Sequence, residues 1–158
     1  MEFLVFFPFV LAIGIWVSWS DMKFMKIPNK AVLALAAVWL VVGLFVVPLD
    51  LWLWGWALAA AVLVVTFLAT IAGLIGAGDA KFAAAMAPFF VTADPRFVLA
   101  LFAACLLAAF VGHRGLRLIT PFRAATADWA SWTHKDFPMG LALSGTLIVY
   151  LLTPLLKV

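Results

Sequence analysis

The chain has 158 residues, of which 68% are hydrophobic and 11% charged, at a mean hydropathy of +1.24. Soluble domains are about half apolar and roughly a quarter charged, so a soluble globular domain is excluded. The net charge of +3 is too small and too dispersed for a nucleic-acid-binding patch, so no nucleic-acid partner is expected.

The charged residues are clustered, and between the clusters lie charge-free runs at 3–20, 31–49, 51–78, 82–93, 97–113 and 137–156. A helix needs about 20 residues, within a range of about 17–25, to cross a hydrocarbon core, and five of the runs qualify. The fourth run reaches that length only as a tilted or partly buried span whose first turn contains Asp79 and Lys81. The sequence therefore predicts an all-α integral membrane protein, a polytopic bundle of about six transmembrane helices forming one membrane-embedded domain over residues 1–158. A cleaved signal peptide does not fit, because Glu2 rather than a basic stretch precedes the first run. Cys105, the single cysteine, permits neither an internal disulfide nor a Cys-rich metal site and reads as a small packing residue.

In chain order, the first connection carries Lys23, Lys26 and Lys30, the third carries Lys81, and the fifth carries Arg114, Arg117, Arg123 and Lys135. By the positive-inside rule these three connections are cytoplasmic and both termini face out. Tryptophans fit that topology: Trp16, Trp19, Trp129 and Trp132 fall near the inner interface, and Trp52, Trp54 and Trp56 near the outer one. Trp39 falls in mid-span and is expected in the core. The polar segment 114–136 reads as a cytoplasmic interfacial connection, a helix lying on the membrane surface and broken at Pro121.

Asp50 and Asp94 stand beside Pro48 and Pro95 and read as turn or capping residues, while Asp128 and Asp136 read as solvated loop charges. His113 and His134 border the polar connection and read as solvated or capping groups rather than metal ligands; no metal site is expected. Asp21 and Asp79 differ, because they end the first run and begin the fourth on the same side of the membrane. Pro28 stops helical continuation after the first span, and Asn29 is expected to cap the second. Gly76 and Gly78 beside Asp79 permit a positive φ or a close approach of another group.

Two aspartates on different helices at one depth can activate water: an ionised carboxylate takes a proton from it, while a protonated one donates to a scissile carbonyl. The same spacing also suits two interfacial charges paired with Lys23 and Lys81, and spacing alone leaves both open. A carrier using the aspartates as protonation sites, and a non-catalytic assembly scaffold, are further alternatives; a carrier would place its acids deep in the spans, within a repeat.

The segment Gly76-Ala77-Gly78-Asp79-Ala80-Lys81 is a Gly-x-Gly-Asp motif followed by a lysine, and Asp21 is followed after five residues by Ile27-Pro28-Asn29. Together these resemble the two aspartate motifs of type IV prepilin peptidases. Pro138-Met139-Gly140 resembles the Pro-aromatic-Gly motif that opens that family's last helix, with Met139 where an aromatic is commoner. The resemblance implies an aspartic endopeptidase of the bacterial inner membrane with Asp21 and Asp79 as catalytic residues. Gly76, Gly78, Lys81, Ile27, Pro28, Asn29, Pro138 and Gly140 are the supporting motif residues it implies. Its substrates would be prepilins or pseudopilins, cut after a glycine at the cytoplasmic face, just before their hydrophobic helix. The bilayer and the pilus or secretion machinery are the other expected partners. Lacking a Cys-x-x-Cys segment, the chain resembles the short Flp/Tad subgroup, so zinc, other cofactors and N-methyltransferase activity are not expected.

Overall fold

A computed structural model describes residues 2–156, and Lys157, the basic residue next to the C-terminal Val158, lies outside them. Among the described residues every regular element is helical. Among the described residues, four stretches are long and apolar enough to cross a membrane: Phe3–Phe24, Asn29–Val46, Leu49–Ile71 and Pro95–Leu118. The principal helices are α1 (Phe7–Phe24), α2 (Asn29–Val38), α3 (Leu49–Ile71), α4 (Ala77–Met86), α5 (Pro95–Leu118), α6 (Thr120–Ala125) and α7 (Met139–Leu156). Six of these fall on the six charge-free runs or at their edges; α6 is the extra piece, in the polar connection.

The fourth run departs from a full span. Helix α4 has 10 residues, about 15 Å at 1.5 Å per residue, and Pro88 turns its end into a 3₁₀ segment, Ala87–Phe90. It packs on α3, α2 and α7. Helix α1 packs on α7 and α2, and α5 packs mainly on α7, so α3 and α5 flank an inner group of shorter helices.

Local sequence sets the ends of these helices. Helix α1 stops at Met25, which takes a left-handed conformation (φ 52°) while its N–H donates to the Asp21 carbonyl at 2.9 Å. The Ser20 hydroxyl donates to the Lys26 carbonyl at 2.9 Å and ties the turn that follows. Pro28, at φ −66° and ψ 134°, is the capping residue of α2, and Asn29 is the first helical residue and forms no side-chain cap; the capping role expected of Asn29 is not observed. Proline's fixed φ, compatible with an extended ψ, explains why it can occupy that place. Asp94 does cap, its Oδ1 accepting the Arg96 N–H at 2.8 Å at the start of α5.

At the end of the bundle away from Asp21, Phe6, Trp39 and Phe89 form an aromatic core with centroids 5.1–5.6 Å apart. Trp39 is fully buried, as its mid-span position predicts. Its indole donates to the Trp52 carbonyl at 3.4 Å, and that of Trp52 to the Trp39 carbonyl at 3.1 Å, joining α2 to α3 across a π-helical turn, Trp39–Gly43. Between helices in lipid such close packing, rather than expulsion of water, supplies the stability.

The connection 114–136 differs from a surface helix broken at Pro121. Helix α5 continues to Leu118, and Pro121 lies in the first turn of α6, where its missing N–H costs nothing. The chain then folds back as a 3₁₀ turn, Ala130–Trp132, that packs on α1. Trp132 is 3% exposed rather than interfacial, and its indole donates to the Thr126 carbonyl at 2.8 Å.

Candidate active site

Asp21 and Asp79, 58 residues apart in sequence, line one cavity of about 990 Å³. Its walls come from three segments: the α1–α2 turn, the loop and first turn leading into α4, and the residues just before α7. Lys26, Ile27, Pro28, Asn29, Gly76, Gly78 and Lys81 line it as well, as does Met139. Pro138 and Gly140 lie behind its wall, Pro138 fully buried.

Asp21 is 5% exposed, on the last turn of α1. Its Oδ2 accepts the backbone N–H of Gly140 at 2.7 Å. Gly140 is the second residue of α7, and its N–H is among those a helix start leaves without an internal partner. An anion at the end of its own helix is disfavoured by the dipole, but the start of α7 offers the opposite polarity. The contact requires glycine: a Cβ at residue 140 would lie 2.9 Å from Asp21 Oδ2 and 3.1 Å from Val17 Cγ1.

Asp79 is the third residue of α4, whose capping residue is Gly76. Its carboxylate folds back over Gly76, where a Cβ would stand 2.8 Å from Oδ2. This is one half of a capping box, a carboxylate at the third helical position reaching back to the cap. Burial, followed by the charge of Asp21, pushes the Asp79 carboxyl up to about 6, and the Gly76 backbone partly offsets this. The two glycines therefore act differently. Gly76 makes room for the carboxylate, while Gly78 lies against Ile27, whose Cβ would be 3.5 Å from an added Cβ, an ordinary contact. Neither has a positive φ.

Among the described residues no lysine pairs with Asp21 or Asp79. Lys23 pairs with Asp128 at 3.4 Å and lies over the rings of Trp19 and Phe24. Lys81 lines the cavity but forms no ion pair among the described residues. The alternative of two surface charges paired with Lys23 and Lys81 is thus not what forms. His134 Nδ1 accepts the Asp136 N–H at 3.2 Å, so the 3.6 Å approach of Asp136 Oδ2 to the same nitrogen is not an ion pair. Among the described residues no three His, Cys, Asp or Glu side chains converge as a metal would require.

His113 departs from the solvated or capping role expected of it. It is 6% exposed, stacked on Trp132 with centroids 4.9 Å apart, and set edge-on to Phe137 at 5.8 Å. Trp132, Thr126 and His113 thus anchor the segment that leads into Pro138 and Gly140. The sequence carries no short-range sign of this, because the stacking partners are 19 and 24 residues away from His113.

One family model, described as the type IV leader peptidase family, matches residues 8–113, two-thirds of the chain. The match includes the segments of both aspartates and ends before Pro138. Neither a curated protein nor a solved structure matches.

Proposed function

Since the chain belongs to the type IV leader peptidase family, we propose that it is a membrane aspartic endopeptidase in which Asp21 and Asp79 cleave the leaders of Flp/Tad-like prepilins. The observation that carries this reading is the convergence of the two carboxylates on one open cavity, without a lysine partner for either among the described residues.

The chemistry follows from a carboxyl pair sharing one proton. The ionised carboxylate takes a proton from water as its oxygen bonds to the scissile carbonyl carbon, and the protonated one gives its proton to the carbonyl oxygen. As the tetrahedral intermediate collapses, the first acid returns its proton to the leaving amine, and the second carboxylate recovers a proton from the intermediate's hydroxyl. The pair returns to its starting state with one peptide bond hydrolysed. Close carboxylates titrate jointly, so the working protonation state belongs to the pair.

The cavity is assigned to the cytoplasmic face of the inner membrane because Lys26, Lys81 and Lys135, from three different connections, all line it. A cytoplasmic leader would reach it there, with cleavage after a glycine just before the substrate's hydrophobic helix.

The test is purified protein with candidate prepilins, the new N-terminus being read by mass. The wild type should cut after a glycine, and Asp21→Asn and Asp79→Asn should each abolish cleavage while still accumulating in the membrane. Full processing by either variant would remove the aspartates from the chemistry.

A further inference from the structure

The cavity lining is uneven in polarity, and its apolar part is not explained by the hydrolysis. His134, Lys135 and Asp136 make a polar stretch of the wall, whereas Phe24 and Leu74 contribute large apolar side chains that are 50% and 77% exposed. Both are held in place by the backbone. Leu74 follows Gly73 (φ 73°), and α3 ends in a Schellman arrangement: Gly73 N–H donates to the Thr70 carbonyl at 3.0 Å and Leu74 N–H to that of Ala69 at 2.9 Å. In such a cap the apolar residue after the glycine ordinarily folds back on the residue that accepts its N–H. That residue is Ala69, too small to cover a leucine, so Leu74 stands out at the cavity. Phe24 is the last residue of α1, set edge-on to Trp19 at 5.6 Å and followed by the left-handed Met25.

We propose that Leu74 and Phe24 form an apolar lip of the cavity that receives the first apolar side chain after the scissile bond and sets the substrate preference there. The assignment rests on the leader-peptidase reading, in which the chain before the cut is polar and the chain after it is a hydrophobic helix. Continuity with the aspartate cavity is what favours a substrate side chain over lipid acyl chains as the occupant. Phe24 shares its helix end with Asp21, and Leu74 lies five residues before Asp79.

The test uses the full chain in micelles with two prepilin peptides identical except for Phe or Ser immediately after the scissile bond. The wild type should show a higher kcat/KM for the Phe peptide. Leu74→Ser should reduce that Phe-to-Ser ratio roughly tenfold, the scale on which an apolar contact discriminates, and Leu74→Met should retain it. Phe24→Ser should act in the same direction. An unchanged ratio in Leu74→Ser, whatever happens to the overall rate, overturns the lip and is the result expected if these side chains meet only lipid. A wild-type ratio near one overturns it too. Failure of the wild type to cut either peptide instead defeats the leader-peptidase reading on which it rests.

Discussion

The N–H of Gly140 donates to Asp21 Oδ2 at 2.7 Å, joining the start of the last long helix to the end of the first across 119 residues of sequence. A methyl group at residue 140 would lie 3.0 Å from Asp21 Cβ as well as 2.9 Å from the carboxylate oxygen, so the two helices must part or the carboxylate must turn away. Gly140→Ala is therefore expected to lower leader cleavage by at least about tenfold and to cost about 1–3 kcal/mol of stability, as overpacking does. Steady-state kinetics and thermal unfolding in detergent check both. Wild-type activity in Gly140→Ala would mean that Asp21 does not need this position.

The two glycines of the Gly-x-Gly-Asp segment should separate under the same substitution. At Gly76 an added Cβ meets the Asp79 carboxylate at 2.8 Å, and at Gly78 it meets Ile27 at ordinary distance. Gly76→Ala should impair cleavage much more than Gly78→Ala, with kcat as the readout. Equal losses would show that backbone freedom, rather than space for the carboxylate, is what the motif supplies.

The raised pKa of Asp79 carries a stability cost with a definite pH window. In the unfolded chain this carboxyl ionises near 3.8, and in the fold near 6. The folded state therefore binds its proton more tightly, and the associated stabilisation, full below about pH 4, is lost as pH rises through about 6. Asp79→Asn removes a charge that the site disfavours, so at pH 7.5 its Tm should exceed that of the wild type. At pH 4 the difference should vanish. A variant less stable than wild type at pH 7.5 would contradict burial as the cause of the shift.

The polar connection is held by one strong anchor and one weak one. Trp132 is buried, stacked on His113 and bonded to Thr126, and Trp132→Ala should cost about 3–5 kcal/mol and depress cleavage through displacement of the segment entering α7. The Lys23–Asp128 pair has side chains 30% and 65% exposed, so Asp128→Ala should cost no more than about 1 kcal/mol. Thermal unfolding of both variants tests the ranking, and the reverse order would overturn it.

How far the sequence carried depended on the range of each signal. Charge-free runs marked the helices because a membrane span is a local property of about 20 residues. The break after Asp21 was legible in Pro28, but not the exchange of roles in which Pro28 caps and Asn29 begins α2. Pro121 misled for a related reason: proline interrupts a helix interior yet suits a helix start, and only the backbone says which applies. His113 was missed because a histidine next to a polar segment looks the same in sequence whether it is solvated or stacked in an aromatic cluster.

By itself the sequence determined a helical membrane protein, the likeness to one peptidase family, and the two acids that stand apart from the other charges. All of these rest on composition, on short motifs, or on the cost of a charge near lipid, and each can be read without knowing what touches what. Tertiary structure alone decided that Asp21 and Asp79 share a cavity, that Gly140 rather than a lysine meets Asp21, and that Gly76 and Gly78 are glycine for different reasons. Those are relations between segments separated by tens of residues, set by how α1, α4 and α7 pack, and no local pattern encodes a packing angle or a 2.7 Å contact across 119 residues.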